Sequence, residues 1–147
     1  MNISARNVFR GKIVSVVRGA VNAEVRIALH GGIELCSIIT IGSAEKLGLR
    51  TEMPAYAIIK ATSVILGTNL HDARLSARNI LCGTITRVLD GPVSAEVEIA
   101  VGAGNTLSAV ITHESARKLG LEEGGHACAI FKASSVIIGV EEAMPSS

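Results

Sequence analysis

Ser4-Ala5-Arg6-Asn7 returns as Ser76-Ala77-Arg78-Asn79. Each copy opens a segment that runs in register with the other at an offset of about 72 residues, with no gap needed. Gly11-Lys12-Ile13 answers Gly83-Thr84-Ile85, and Ala23-Glu24-Val25 answers Ala95-Glu96-Val97. Lys46-Leu47-Gly48-Leu49 returns as Lys118-Leu119-Gly120-Leu121, and Lys60-Ala61-Thr62-Ser63-Val64 as Lys132-Ala133-Ser134-Ser135-Val136. Roughly half of the aligned positions are identical, which makes the chain a tandem duplication. Two domains are expected, over 1–69 and 73–142, with a short connection at 68–75.

Within each copy the pattern is that of short strands. Residues 7–17 are rich in β-branched side chains and end at Arg18-Gly19. Residues 21–29 alternate, placing Val21, Val25, Ile27 and Leu29 on one face and Glu24 and Arg26 on the other, as in a half-buried antiparallel strand. Their counterpart is 93–101. His30-Gly31-Gly32 and Gly102-Ala103-Gly104-Asn105 are hairpin turns, with no phosphate-loop pattern around them. A third strand follows at 34–40. A short helix at 43–47 and 115–119 ends on Gly48 or Gly120, with Thr40, Ser43, Thr112 and Ser115 as candidate N-caps. Fourth strands are expected at 55–60 and 127–132, and fifth strands at 63–66 and 135–138. Five short strands with one small helix per copy suit an all-β fold: two tandem OB-like five-stranded Greek-key barrels. The tail over 141–147 is polar and expected to fray.

The chain has 147 residues, 48% of them hydrophobic, and a mean hydropathy of +0.45. Units of roughly 65–70 residues bury only about 60% of their unfolded surface. The apolar excess is therefore expected in contacts between halves and between chains, which implies an oligomer. The net charge of +1 gives no electrostatic footprint for nucleic acid or an anionic membrane. Phe9, Tyr56 and Phe131 are the only aromatics, too few to stack single-stranded bases. No apolar run approaches the ~20 residues of a membrane span. Arg6 and Arg10 interrupt any N-terminal signal pattern, so the cytoplasm is the expected compartment. Cys36, Cys82 and Cys128 are odd in number, far apart and unmatched between copies; they read as buried small hydrophobes rather than a disulfide framework.

Catalytic parts are scarce. His30, His71, His113 and His126 have no counterpart in the other copy, and no HExxH or GxSxG pattern occurs. No catalytic or metal-ligating residue is therefore assigned, and the protein is not expected to be an enzyme. What repeats is a set of hydrogen-bond donors: Ser4, Arg6, Thr40 and Lys60 in one copy, Ser76, Arg78, Thr112 and Lys132 in the other. Arg and Lys carry only donors, and no carboxylate repeats within these motifs. Such a set suits a fully deprotonated oxyanion and disfavours one that keeps a proton.

The Ser-Ala-Arg-Asn motif, the Ala-Glu-Val segments and the Lys-Ala-[Ser/Thr]-Ser-Val ending resemble the Mop domain of molbindins, a TOBE-type module also found in molybdate-responsive regulators and transporter ATPases. The resemblance covers 2–67 and 75–139. Neither a helix-turn-helix nor a Walker motif accompanies it, which suits a free-standing tandem-Mop molbindin. It implies a cytoplasmic trimer of two-domain chains binding molybdate or tungstate between barrels, for storage and homeostasis, with no cofactor. Carried over by position, Ser4, Arg6, Thr40, Lys60 and the backbone at Ala61 would hold one oxyanion. Ser76, Arg78, Thr112, Lys132 and the backbone at Ala133 would hold its counterpart. A second class of oxyanion site would involve Gly19, Val21, Asn22 and Ala23, and in the other copy Gly91, Val93, Ser94 and Ala95. There Arg18 is replaced by Asp90 and Asn22 by Ser94, so these sites are expected to be unequal. The alternative is an oligomerising interaction module for a molybdate transporter or regulator, with incidental anion binding.

Overall fold

Val25, Ile27 and Leu29 are buried while Arg26 is exposed, as the alternation requires. The computed structural model describes residues 1–141. In chain order the first repeat contains β1 (Asn7–Arg18), β2 (Asn22–Leu29), β3 (Glu34–Thr40), α1 (Ile41–Leu47), β4 (Pro54–Ile59) and β5 (Ile65–Gly67). The second contains β6 (Asn79–Asp90), β7 (Ser94–Gly102), β8 (Asn105–Thr112), α2 (His113–Leu119), β9 (His126–Phe131) and β10 (Ile137–Gly139). Single 3-10 turns at Ala61–Ser63 and Ala133–Ser135 take the place of the first residues expected in the fifth strands. Val21 departs from the expected face. It lies in the turn closed by Gly19 N–H donating to the Asn22 carbonyl at 2.8 Å, and it is exposed.

The chain folds as two OB-like, all-antiparallel five-stranded units, each with one short helix. One compact unit comprises Met1–Ile59 and the segment from Lys132 onward; the other is Lys60–Phe131. Their strand orders are β10-β4-β1-β2-β3 and β5-β9-β6-β7-β8. These units and the two sequence repeats are different partitions of the chain. The first unit takes its fifth strand from the second repeat, through Ile137↔Ile58, Ile138↔Ala57 and Gly139↔Tyr56. The second takes β5 from the first repeat, through Ile65↔Ile130, Leu66↔Ala129 and Gly67↔Cys128. A pattern of apolar positions marks a strand but not the partner it joins, so the exchange is invisible in one repeat's sequence.

Each core is mainly aliphatic, with one phenylalanine apiece, Phe9 and Phe131. Ile13, Val25, Ile27, Leu35, Ile59 and Val136 are buried in the first unit; Ile85, Val97, Ile99, Leu107 and Phe131 fill the second. Gly83 sits where β6 crosses β7 so closely that a Cβ there would run into the Ala100 carbonyl. Thr40 and Thr112 cap α1 and α2, each accepting the N–H of the residue three positions on, Ser43 or Ser115, at 3.1 Å. Gly48 and Gly120 close the helices at φ 63°, a left-handed geometry that carries no Cβ penalty for glycine. The buried Ser37 hydroxyl donates to the Val136 carbonyl at 2.6 Å and ties the exchanged segment to β3. Ala109, the corresponding residue of the second repeat, cannot make that bond.

The cysteines correct the sequence reading. Cys36 is buried and takes no part in a disulfide, but Cys82 and Cys128 form one. Their sequence separation of 46 suggested distance. The antiparallel β6–β9 register makes them direct cross-strand partners. At the matching place in the first unit Arg10 faces Tyr56. Of the tail expected to fray, Glu141 is held against the Met1 ammonium at 2.8 Å, and 142–147 lie outside the described residues.

Candidate functional site

Asn7 and Asn79, the last residues of the repeated Ser-Ala-Arg-Asn, are buried at the starts of β1 and β6. They pair with Ile59 and Phe131, the last residues of β4 and β9. Arg6 and Arg78 immediately precede these ladder ends, and Lys60 and Lys132 immediately follow them. The sheet register thus explains why two motifs about 54 residues apart recur together: both flank the same end of an antiparallel pair. Ser4, Arg6, Lys60, Ser76, Arg78 and Lys132 are all exposed. Ala61 and Ala133 are buried and begin the 3-10 turns, in which Ser63 N–H returns to the Lys60 carbonyl and Ser135 N–H to the Lys132 carbonyl, both at 2.9 Å. The first N–H groups of such a turn have no acceptor inside it.

Thr40 and Thr112 stand apart from these groups. Thr40 pairs with Asn22 and Thr112 with Ser94, at the turn ends of β2 and β7. In the second unit this places Thr112 and Arg78 at opposite ends of the twelve-residue β6. Both threonine hydroxyls also donate to the following serine, Thr40 to Ser43 Oγ at 2.9 Å and Thr112 to Ser115 Oγ at 2.8 Å. The hydroxyl protons left over at these corners belong to Ser43 and Ser115, which sequence reasoning treated only as caps.

The second candidate set forms a tight corner. Gly91 N–H donates to the Ser94 carbonyl at 3.0 Å, repeating the Gly19–Asn22 closure. Ile41 N–H donates to the Val21 carbonyl at 3.0 Å, and His113 N–H to that of Val93 at 2.9 Å, fastening each turn to the helix that follows. Ala23 and Ala95 are buried beneath the corner, while Val21 and Val93 are 73% and 80% exposed. In the second unit a hollow of about 630 Å³ brings Val93 and Thr112 together with His113, Arg117 and Lys118. Asp90, expected to repel an anion here, is held by His113 Nδ1 at 2.6 Å. Lys118 pairs with Glu114 at 3.2 Å. The corners are therefore unequal in chemistry: Arg18 and Ile41 stand where the other repeat has Asp90 and His113. Among the described residues no group of three or more His, Cys, Asp or Glu side chains is arranged to hold a metal.

The TOBE domain model matches residues 3–66 and again 75–138. The chain belongs to the TOBE family. As a tandem Mop-type TOBE protein it is 43% identical, over 95% of its length, to the molybdenum-pterin-binding protein MopA of Rhodobacter capsulatus, covering 53% of that protein. It is 41% identical over 95% of its length to the molybdenum transport protein ModE of Azotobacter vinelandii, covering 52%. The chain spans about half the length of these curated relatives. Among solved structures it resembles the cytoplasmic molybdate-binding protein ModG in a form with molybdate bound. The TM-score is 0.93 and the identity 45%, over 96% of this chain and 100% of that one. The tandem OB-like architecture is thus shared along essentially the whole TOBE pair.

Proposed function

We propose that this chain binds molybdate or tungstate, without catalysis and without a cofactor, for storage and homeostasis of the oxyanion in the cytoplasm. The observation that carries the proposal is the repeated ladder end: Ser-Ala-Arg leads into one strand and Lys-Ala leads out of its partner, in both copies. Ser4, Arg6, Lys60 and the Ala61 backbone serve one anion; Ser76, Arg78, Lys132 and the Ala133 backbone serve the other. These are donors throughout, which favours a dianion that carries no proton. Thr40 and Thr112, at the turn ends of their strands, serve the corner sites instead, through the hydroxyl pairs they form with Ser43 and Ser115. The turns at Gly19, Val21, Asn22 and Ala23, and at Gly91, Val93, Ser94 and Ala95, form a second, unequal class. The likeness to ModG, solved with molybdate bound, supports the choice of anion and of compartment.

The chain acts as a homo-oligomer, a trimer of two-domain chains. Support comes from apolar residues exposed at matching positions of both repeats: Ile3 and Leu75, Val17 and Leu89, Val21 and Val93, Ile65 and Ile137. Solvent exposure conserved through the duplication in four pairs of large apolar side chains fits a surface covered by further copies. A bound dianion then neutralises converging cations and stabilises the assembly by mass action. In equilibrium dialysis, Arg6→Ala combined with Arg78→Ala is expected to lose molybdate while keeping the parent circular dichroism. Unchanged binding refutes the site, and a monomeric native mass refutes the assembly.

The half-length match to ModE, named as a molybdenum transport protein, favours a second reading: an interaction module for a transporter or regulator. A stable complex with such a protein, together with no effect of molybdate on melting, selects it.

A further inference from the structure

We propose that Cys82–Cys128 is a thiol–disulfide exchange site, which takes a low-molecular-weight thiol as co-reactant and tunes the second copy's anion site alone. The coupling to anion binding rests on the functional reading above; the exchange chemistry does not. Cys82 is exposed and Cys128 is 7% exposed, so a small thiolate reaches the Cys82 sulfur first. In the single chain a hollow of about 420 Å³ beside the pair, lined by Leu70, His71, Leu75, Ile80 and His126 among others, gives it room. The incoming thiolate bonds to Cys82 Sγ as the Cys82–Cys128 bond breaks, and Cys128 leaves as a thiolate that takes up a proton. A second small thiolate then bonds to the small-molecule sulfur. Cys82 leaves as a thiolate and is protonated, and a low-molecular-weight disulfide is released. Two small thiols are oxidised and the protein disulfide gains the two electrons. The reverse sequence closes the pair. In a thiol-reducing compartment, exposed protein disulfides are typically of this transient kind.

Position supplies the consequence. Cys82↔Cys128 is the fourth pair of the β6–β9 ladder counted from Asn79↔Phe131, the end that Arg78 enters and Lys132 leaves. β9 also carries β5 on its other side, with Gly67 opposite Cys128. The crosslink therefore clamps β6 to β9, the middle strand between β5 and β6, beside one set of anion donors. The fourth pair of the matching ladder is Arg10↔Tyr56, which has no thiol. Only one of the two repeated sites can feel the redox state.

The full-length protein is equilibrated with reduced and oxidised glutathione in varying ratio, and thiols are counted after denaturation in acid. The expected result is a reversible passage between three thiols and one, Cys36 being the residual thiol. Failure of the native protein to interconvert overturns the proposal. Molybdate affinity is then measured in both redox forms of Arg6→Ala, which keeps the second site, and of Arg78→Ala, which keeps the first. Oxidation is expected to tighten binding about fivefold or more in Arg6→Ala and to leave Arg78→Ala unchanged. Equal effects in both overturn the proposal. If the parent binds no molybdate in either form, the functional reading is what fails. Amide exchange then decides: slower exchange across β6 and β9 in the oxidised form upholds the clamp, and identical exchange removes it. Cys82→Arg combined with Cys128→Tyr, which copies the first repeat's pair, should be folded and insensitive to glutathione.

Discussion

Cys82 of β6 and Cys128 of β9 are joined across an antiparallel ladder at the very pair where the first repeat sets Arg10 opposite Tyr56. Duplication preserved the backbone register and let the side chains holding it diverge. One unit is clamped covalently. In the other, Tyr56 is linked to Glu141, which also pairs with the Met1 ammonium. Closing a loop of this size restricts the unfolded chain, so reducing the disulfide is expected to cost about 2–4 kcal/mol. Urea unfolding of the oxidised and reduced protein, and of Cys82→Ser, measures that difference; it should vanish in the variant.

The Tyr56–Glu141 link predicts opposite behaviour at the two ends of the pH scale. Hydrogen bonds from the N-terminal ammonium and then from Tyr56 hold the Glu141 carboxyl below its ordinary 4.5. A depressed carboxylate stabilises the fold above the unfolded value and loses that effect as pH falls through the folded one. The bond to Glu141 raises Tyr56 above 10.0. Its contribution is present below 10.0 and lost as pH rises through the folded value. NMR titration should show both displacements, and Glu141→Ala should reduce that of Tyr56.

Ser37 anchors the exchanged segment in a way its counterpart cannot. Its hydroxyl satisfies the Val136 carbonyl in the first unit, whereas Ala109 stands at the matching place in the second repeat. Ser37→Ala leaves a buried carbonyl without its donor and is expected to cost about 1–3 kcal/mol by chemical denaturation.

Removing a cap tests the threonines directly. Thr112→Ala releases the Ser115 N–H from its acceptor and should cost about 1 kcal/mol. Thr112→Ser keeps the oxygen and should recover most of it. A stability loss of this size without any change in molybdate affinity would make Thr112 purely a cap.

Gly83 admits no side chain where β6 meets the Ala100 carbonyl. Gly83→Ala forces the two strands apart at a close crossing and is expected to cost about 1–3 kcal/mol, read from the midpoint of thermal unfolding.

Much of this was legible in the residues. The duplication, the strands of β2 and β7, the caps at Thr40 and Thr112 and the closing glycines follow from local rules, because alternation and φ requirements act within a few residues. The Cys82–Cys128 bond was not legible. A sequence reports separation along the chain, and antiparallel pairing erases it. Val21 failed for a smaller reason: the alternating pattern reached back into a turn whose Gly19–Asn22 bond makes the strand start one residue later, at Asn22.

Sequence alone thus determined that there are two copies, what each strand looks like, and which donors recur. Only the tertiary structure decided which copy's strand completes which sheet, and that Arg6 and Lys60, like Arg78 and Lys132, flank a common ladder end while Thr40 and Thr112 sit at the turns. The reason is physical: local propensity is written in neighbouring residues. Strand partnership is set by burial and hydrogen bonding summed over the whole fold.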